Sequence, residues 1–151
     1  MKALSGRQPW WWAIMHAGKR IENRVWNTHY RGPILLHAAK GCSRNEYLDA
    51  CQWMFDAGVV SVRSPMPSLA HMQRGGIVGR ARIVDVLPPH MGQACNHLLD
   101  HFDSGIDTRW HMADQFGFVL ADVEPLPFFP CAGSLGLFEC EVPGLKETYE
   151  P

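Results

Sequence analysis

Acidic residues are almost missing from the first forty positions of this 151-residue chain. Glu22 stands alone there against Lys2, Arg7, Lys19, Arg20, Arg24, Arg31 and Lys40. The remainder reverses the balance, with seven Lys or Arg against fourteen Asp or Glu. The net charge of -1 therefore hides roughly +6 followed by roughly -7. A near-neutral total excludes a purely basic coating protein, and any polyanion contact must be local. Long apolar runs are missing too, since no stretch approaches the roughly 20 residues of a membrane span. The run Trp10-Trp11-Trp12-Ala13-Ile14-Met15 is short and leads to His16 and Lys19 with no cleavage site, so no signal peptide is expected. The five cysteines (Cys42, Cys51, Cys95, Cys131, Cys140) have no finger spacing, and their odd number predicts free thiols in a reducing cytoplasm. Charged residues make up only 19% against 46% apolar, which excludes disorder. Neither an internal repeat nor a linker divides the chain, so one domain over residues 1–151 is expected.

What is present points to strands and turns. Gly (14) and Pro (11) are plentiful. Ala3-Leu4-Ser5 reads as an entry strand. Pro9 opens a helix, where its missing N–H costs nothing, and Gly18 closes it with a left-handed cap. Trp11, Ile14 and Met15 share one face of that helix. A strand then carries Lys19 to Arg24, with Ile21 opposite Arg20, Glu22 and Arg24. Ile34 to Ala38 is a buried-strand candidate. Ser43-Arg44-Asn45-Glu46 has the capping-box pattern and begins a helix running to about Ala57, with Tyr47, Leu48, Cys51, Met54 and Phe55 as its apolar positions. Ser64 to Gly76 reads as loop and Ile77 to Leu87 as a strand with a bulge near Gly79. Residues 90–108 read as a polar loop with one helical turn around Asn96 to Phe102. Phe116 to Val123 is a strand, Pro125, Pro127 and Pro130 form a stiff connection, and Gly136 to Val142 is a last strand. Five or six strands with two or more helices predict an α+β fold built on a small barrel.

Three ordered blocks carry a resemblance: Leu4-Ser5-Gly6-Arg7-Gln8-Pro9-Trp10, then Gly18-Lys19 with Glu22 and Arg24, then Tyr30-Arg31-Gly32-Pro33 followed by Leu36-His37-Ala38. Together they resemble the ASCH (activating signal cointegrator homology) domain, whose hallmark is Gly-Lys-x-x-Glu-x-Arg. Gly79-x-Ala81, Gln115 to Phe118 and Gly133 to Phe138 resemble compact bacterial and phage members, while residues 88–110 are least covered. The resemblance implies a PUA-like barrel and a cleft holding Lys19, Glu22 and Arg24. It links the chain to RNA binding and modified bases, and some small members to ribonuclease or acetylcytidine-type amidohydrolase activity. Two departures stand out. Glu22 occupies the place, three residues after the core Lys, where amidohydrolase-like members have Thr, and Gly6 replaces a larger apolar residue.

Each candidate residue has a plain alternative. Lys19, Glu22 and Arg24 form either a structural ion-pair network or a site in which Glu22 orients two cations toward phosphate or a base edge. A carboxylate so placed favours binding over nucleophilic use of Lys19. Three consecutive indoles point about 100° apart and cannot all enter one core. Trp10, beside the motif, is therefore the expected stacking platform, with Trp11, Trp12 and Trp26 the other candidates. Gln8 either reads a base edge or caps the helix. Arg7, Arg31 and Lys40 are outer cations for phosphate. Ser134 and Tyr30 are ordinarily a turn former and a packed ring, and Ser134 joins Lys19 and Glu22 as catalytic only if the protein is an enzyme. His97 and His101, with Cys95 and Asp100, have helical spacing for zinc but no second ligand pair, so neither metal nor cofactor is expected, save a divalent metal for a nuclease. His37 reads as a hydrogen-bonded core residue.

The expected function is binding of single-stranded RNA or a modified nucleotide in a cationic cleft through Arg7, Gln8, Trp10, Lys19, Arg24 and Arg31. The alternatives are an enzyme of the two kinds above, using Lys19 and Glu22, and a protein-interaction role for the acidic region from Asp100 to Glu124. No membrane partner is expected.

Overall fold

The computed structural model describes residues 1–90 and 106–146. Six strands form one sheet: β1 (Lys2–Gly6), β2 (Ile21–Arg24), β3 (Gly32–Ala38), β4 (Gly76–Leu87), β5 (Phe116–Pro130) and β6 (Leu137–Glu139). Their order is β2-β5-β4-β3-β1-β6. β1 and β3 run parallel and all other pairs are antiparallel. The β4–β5 ladder shifts register at Ile77/Gly79, Arg80/Arg82 and Ile83/Asp85, so the expected bulge near Gly79 has two companions. Each bulge bends the strands and tightens their twist. The sheet consequently curls into a half-barrel, and Arg24 of the edge strand β2 donates from Nη2 to the Ser5 carbonyl of β1 at 2.7 Å.

Strand alternation sorts the core. Leu4, Ile34 and Leu36 join Trp11, Ile14, Ile83 and Phe118 in one buried cluster. Ala3 and Leu35, one residue out of phase, join Ile77 in another. A third cluster places Ala13, Ile21, Met54, Leu87, Val119 and Trp110 together, uniting both helices with the sheet.

Helix α1 (Trp10–His16) follows Pro9, and Gln8 Oε1 accepts its Trp12 N–H at 3.0 Å. Past its end, Gly18 adopts φ +75, a conformation that a Cβ would disfavour. Helix α2 (Arg44–Asp56) has the expected capping box: the Glu46 N–H donates to Ser43 Oγ at 3.1 Å and the Ser43 N–H to Glu46 Oε2 at 2.7 Å. Its packing face differs from the expected one. Ala50 and Met54 are buried, whereas Leu48 and Phe55 are about half exposed, at 47% and 50%. Few apolar positions of α2 thus meet the sheet, and one flank is left open.

Two expectations at the C-terminal end are corrected. β5 does not stop at Val123 but continues through Pro125, Pro127 and Pro130. β2 pairs only with Phe116 to Val119, so the later residues of β5 form a sheet edge, where a missing N–H leaves no ladder bond unmade on the open side. The last strand is three residues long rather than seven. Single-turn 3-10 helices occupy Leu69–His71, inside the expected loop, and Thr108–Trp110. The expected turn at Asn96 to Phe102, with Cys95, His97, Asp100 and His101, lies outside the described residues. No helix among the described residues is long and apolar enough to cross a membrane, and none of their side chains form a metal-binding group. Cys42, Cys51, Cys131 and Cys140 are free thiols.

Candidate functional site

Lys19 and Glu22 owe their position to the corner between α1 and β2. Gly18 turns the chain, the Lys19 N–H returns to the Ala13 carbonyl at 3.1 Å, and β2 then pairs with β5. The result is a buried ion pair: Lys19 is 3% exposed and Glu22 8%. Lys19 Nζ lies 3.0 Å from Glu22 Oε2 and donates also to the Ile21 carbonyl. The other oxygen of Glu22, Oε1, lies 3.0 Å from Arg24 Nη2. The motif is thus one line of charge, ammonium–carboxylate–guanidinium, with its acid shared by two cations. Lys19 Nζ also lies 5.9 Å from the centre of the Trp10 ring. Two of its three N–H donors are engaged, so one remains for a ligand.

This pair forms part of the wall of a cavity of about 480 Å³. Three indoles line it from three elements: Trp10 at the start of α1, Trp53 on α2 and Trp110 on the 3-10 turn. Trp53 and Trp110 lie 4.7 Å apart, centre to centre, at 45°. Asn23 on β2 ties that turn in place, donating from Nδ2 to the Trp110 carbonyl at 2.8 Å and accepting the Met112 N–H on Oδ1 at 2.8 Å. Beside it, burial pushes the His111 imidazole below the usual histidine range; a bond to the Gln115 carbonyl opposes this and nearby His90 adds to it. An apolar-walled space of this size with a few convergent polar groups is the general form of a small-molecule pocket.

The cavity lining is not cationic. Among the described residues, Lys19 and Arg109 are its only Lys or Arg, and Glu22, Glu46 and Asp49 line it with them. Lys19 is matched by Glu22. Arg109 is matched by Asp107, whose carboxyl the guanidinium holds below its ordinary range.

The other expected site residues are dispersed. Arg24 lies behind Glu22, between its carboxylate and the Ser5 carbonyl, and its buried Nε has no hydrogen-bond partner. Gln8 is buried with both ends of its amide engaged: Oε1 caps α1, and Nε2 donates to the Gln73 carbonyl at 3.2 Å. Arg7 pairs with Glu46 at the cavity edge. Arg31 contacts the Thr28 and Tyr30 carbonyls and Asp85, at the start of β3. Lys40 follows the end of that strand, so seven strand residues, about 20 Å, separate the two cations. Ser134 is an exposed loop residue outside the cavity lining. Tyr30 donates its hydroxyl to the Pro33 carbonyl at 2.8 Å. His37 is the hydrogen-bonded core residue expected, with its ring between Ser5 Oγ and the Cys131 carbonyl, each at 2.9 Å. Of the three indoles, Trp11 is sealed in the core, while Trp10 and Trp12 are half-buried.

Trp53, Trp110 and Asn23 escaped the sequence reading. Trp53 sits one position off the assumed apolar stripe of α2. A faint signal existed for Trp110, a lone indole between Arg109 and His111 in an otherwise polar stretch. The family model of the ASCH domain matches residues 4–127, most of the chain. No curated protein matches it.

Proposed function

Because the chain belongs to the ASCH domain family, we propose that it binds single-stranded RNA or a modified nucleotide by taking one base into the cavity between Trp10, Trp53 and Trp110. The family is a PUA-like group linked to RNA binding. The observation that carries the reading is the buried Lys19–Glu22 pair on the wall of an indole-lined space large enough to admit a nucleobase. Any base offers a flat face to an indole, and each such stack contributes about 1–3 kcal/mol. Lys19 presents a donor to a base carbonyl or ring nitrogen. Glu22, fixed from behind by Arg24, presents the complementary acceptor. The role of Arg24 is therefore to position Glu22 rather than to touch the ligand.

The test is direct titration. Nucleosides and short single-stranded RNA should quench the emission of the cavity indoles, and Trp10→Ala should weaken the binding. A protein that binds neither, with its fold intact, refutes the reading.

A second reading, hydrolysis of RNA or of an acylated nucleoside, draws on the same pair, since a buried ammonium beside a carboxylate can stabilise charge or move a proton. Incubation of the protein with single-stranded RNA and with acetylated cytidine separates the two. Product formation that Lys19→Ala abolishes at unchanged stability establishes an enzyme. Tight binding without product leaves the binder.

A further inference from the structure

The cavity takes no phosphate with an unmatched cation, because Lys19 is held by Glu22 and Arg109 by Asp107. A strand whose base enters there must lay its backbone elsewhere, and one surface beside the cavity has the charge for it. β1 and β3 are parallel, so their C-terminal ends emerge together, joined by the Ala39 N–H donating to the Gly6 carbonyl at 2.9 Å. Arg7 leaves one strand and Lys40 follows the other. The segment preceding β4 meets them: the Gly75 N–H donates to the Ala38 carbonyl at 2.7 Å, and Arg74 Nη1 to the Lys40 carbonyl at 2.9 Å. The lysine's aliphatic stem lies over Gly75, where an added Cβ would come within 3.0 Å of it. Cys42 sits among these groups. Burial and Glu46 raise its thiol above the ordinary range, while Arg74 and Arg7 both oppose that rise, which places both guanidinium groups within electrostatic reach of it.

Neither Arg74 nor the Lys40 ammonium has an acidic partner among the described residues. Arg7 does: its partner Glu46 lies at the cavity wall. The Arg7–Glu46 pair therefore joins cavity to cation cluster. We propose that Lys40 and Arg74 form a phosphate track for the ribose–phosphate backbone of a single strand whose base occupies the cavity, with the Arg7–Glu46 pair bridging track and cavity. The track rests on the base-binding reading and adds to it a division of labour, with base recognition in a charge-balanced pocket and phosphate recognition outside it. It also drops Arg31, at the far end of β3, from the contact set.

The experiment compares a nucleoside with an RNA oligomer of about eight residues, for wild type and for Lys40→Gln/Arg74→Gln, over a range of salt. Wild type should hold the oligomer more tightly, with an affinity that falls as salt rises by about 0.7 logarithmic units per decade for each phosphate engaged. The double variant should lose on the order of tenfold in oligomer affinity and flatten that slope, leaving nucleoside affinity unchanged. Lys40→Gln alone, an exposed change, should give a smaller loss of the same kind and guards against disturbance of the turn at Arg74. An unchanged salt slope in both variants overturns the track. So does equal loss of nucleoside affinity, which would mean that the changes act through the cavity. A wild-type protein that binds nucleoside but holds the oligomer no more tightly overturns the track and leaves the base pocket standing. Binding of neither ligand overturns both.

Discussion

Two groups of cations from the same opening stretch of sequence meet opposite fates. Lys19 and Arg24 are folded inward and share one carboxylate, with side chains 3% and 18% exposed. Arg7 and Lys40 remain in solvent at the joined ends of β1 and β3. Charge alone does not distinguish the groups, and burial does. Inside, desolvation makes each ion depend on its partner, so the triad sets geometry. Outside, water screens each cation, and Lys40, with no acidic partner among the described residues, is open to a mobile polyanion. A cationic segment can therefore serve two purposes, with a pocket that is itself charge-balanced.

The sharpest way to break the contrast is Glu22→Ala. It strands two cations, Lys19 among them fully buried, and should lower the unfolding free energy by roughly 3–5 kcal/mol, read by urea denaturation. Lys40→Ala, an exposed change, should stay within about 0.5 kcal/mol. Equal effects would mean that the interior pair is well hydrated, and the proposed division between positioning and attraction would fail.

Trp53→Ala probes the pocket itself. The residue is 37% exposed and packs on Trp110, so most of its contribution is to the cavity wall. Base affinity should fall by about 1–3 kcal/mol, measured by calorimetric titration with a nucleoside. Trp12→Ala, which replaces an indole absent from the cavity lining, should leave that affinity intact. The reverse pattern would move the platform to the other side of α1.

Much of the inner group was legible in the sequence because its members are neighbours. Gly18, Lys19, Glu22 and Arg24 lie within one helix-to-strand corner, and local rules for caps and alternation suffice to bring them together. The capping box at Ser43 and the bulge at Gly79 were visible for the same reason. Trp53 and Trp110 were not, because only the packing of α2 and of the 3-10 turn against the sheet sets them 4.7 Å apart. The prolines of β5 misled because their cost depends on whether the strand is an edge, which is a property of the sheet. The separation of Arg31 from Lys40 was hidden for a related reason. Nine residues from Lys40 in sequence, Arg31 is a whole strand length away in space, a distance that a count of charge excess ignores.

A further contrast is one of direction with pH. Around the cavity, burial holds the His111 imidazole below its ordinary value of 6.5, so the folded protein binds its proton less readily than the unfolded chain. Stability from this group is present above pH 6.5 and falls as acidification passes below it, until the lowered folded value is reached. The carboxyls beside the outer cations behave differently. Glu46 is held below 4.5 by its bonds to Ser43 and by Arg7, and its contribution survives until the pH falls below that value. Thermal unfolding between pH 7.5 and 5.5 should therefore show a decline that His111→Gln reduces, since the substitute keeps a donor for the Gln115 carbonyl without gaining a charge. Arg7→Ala should leave the decline in that window unaltered and change the profile only in the carboxylate range. A wild-type midpoint that rises on acidification, or a decline insensitive to His111, would place the titrating group elsewhere and remove the pH link between this histidine and the turn that holds Trp110.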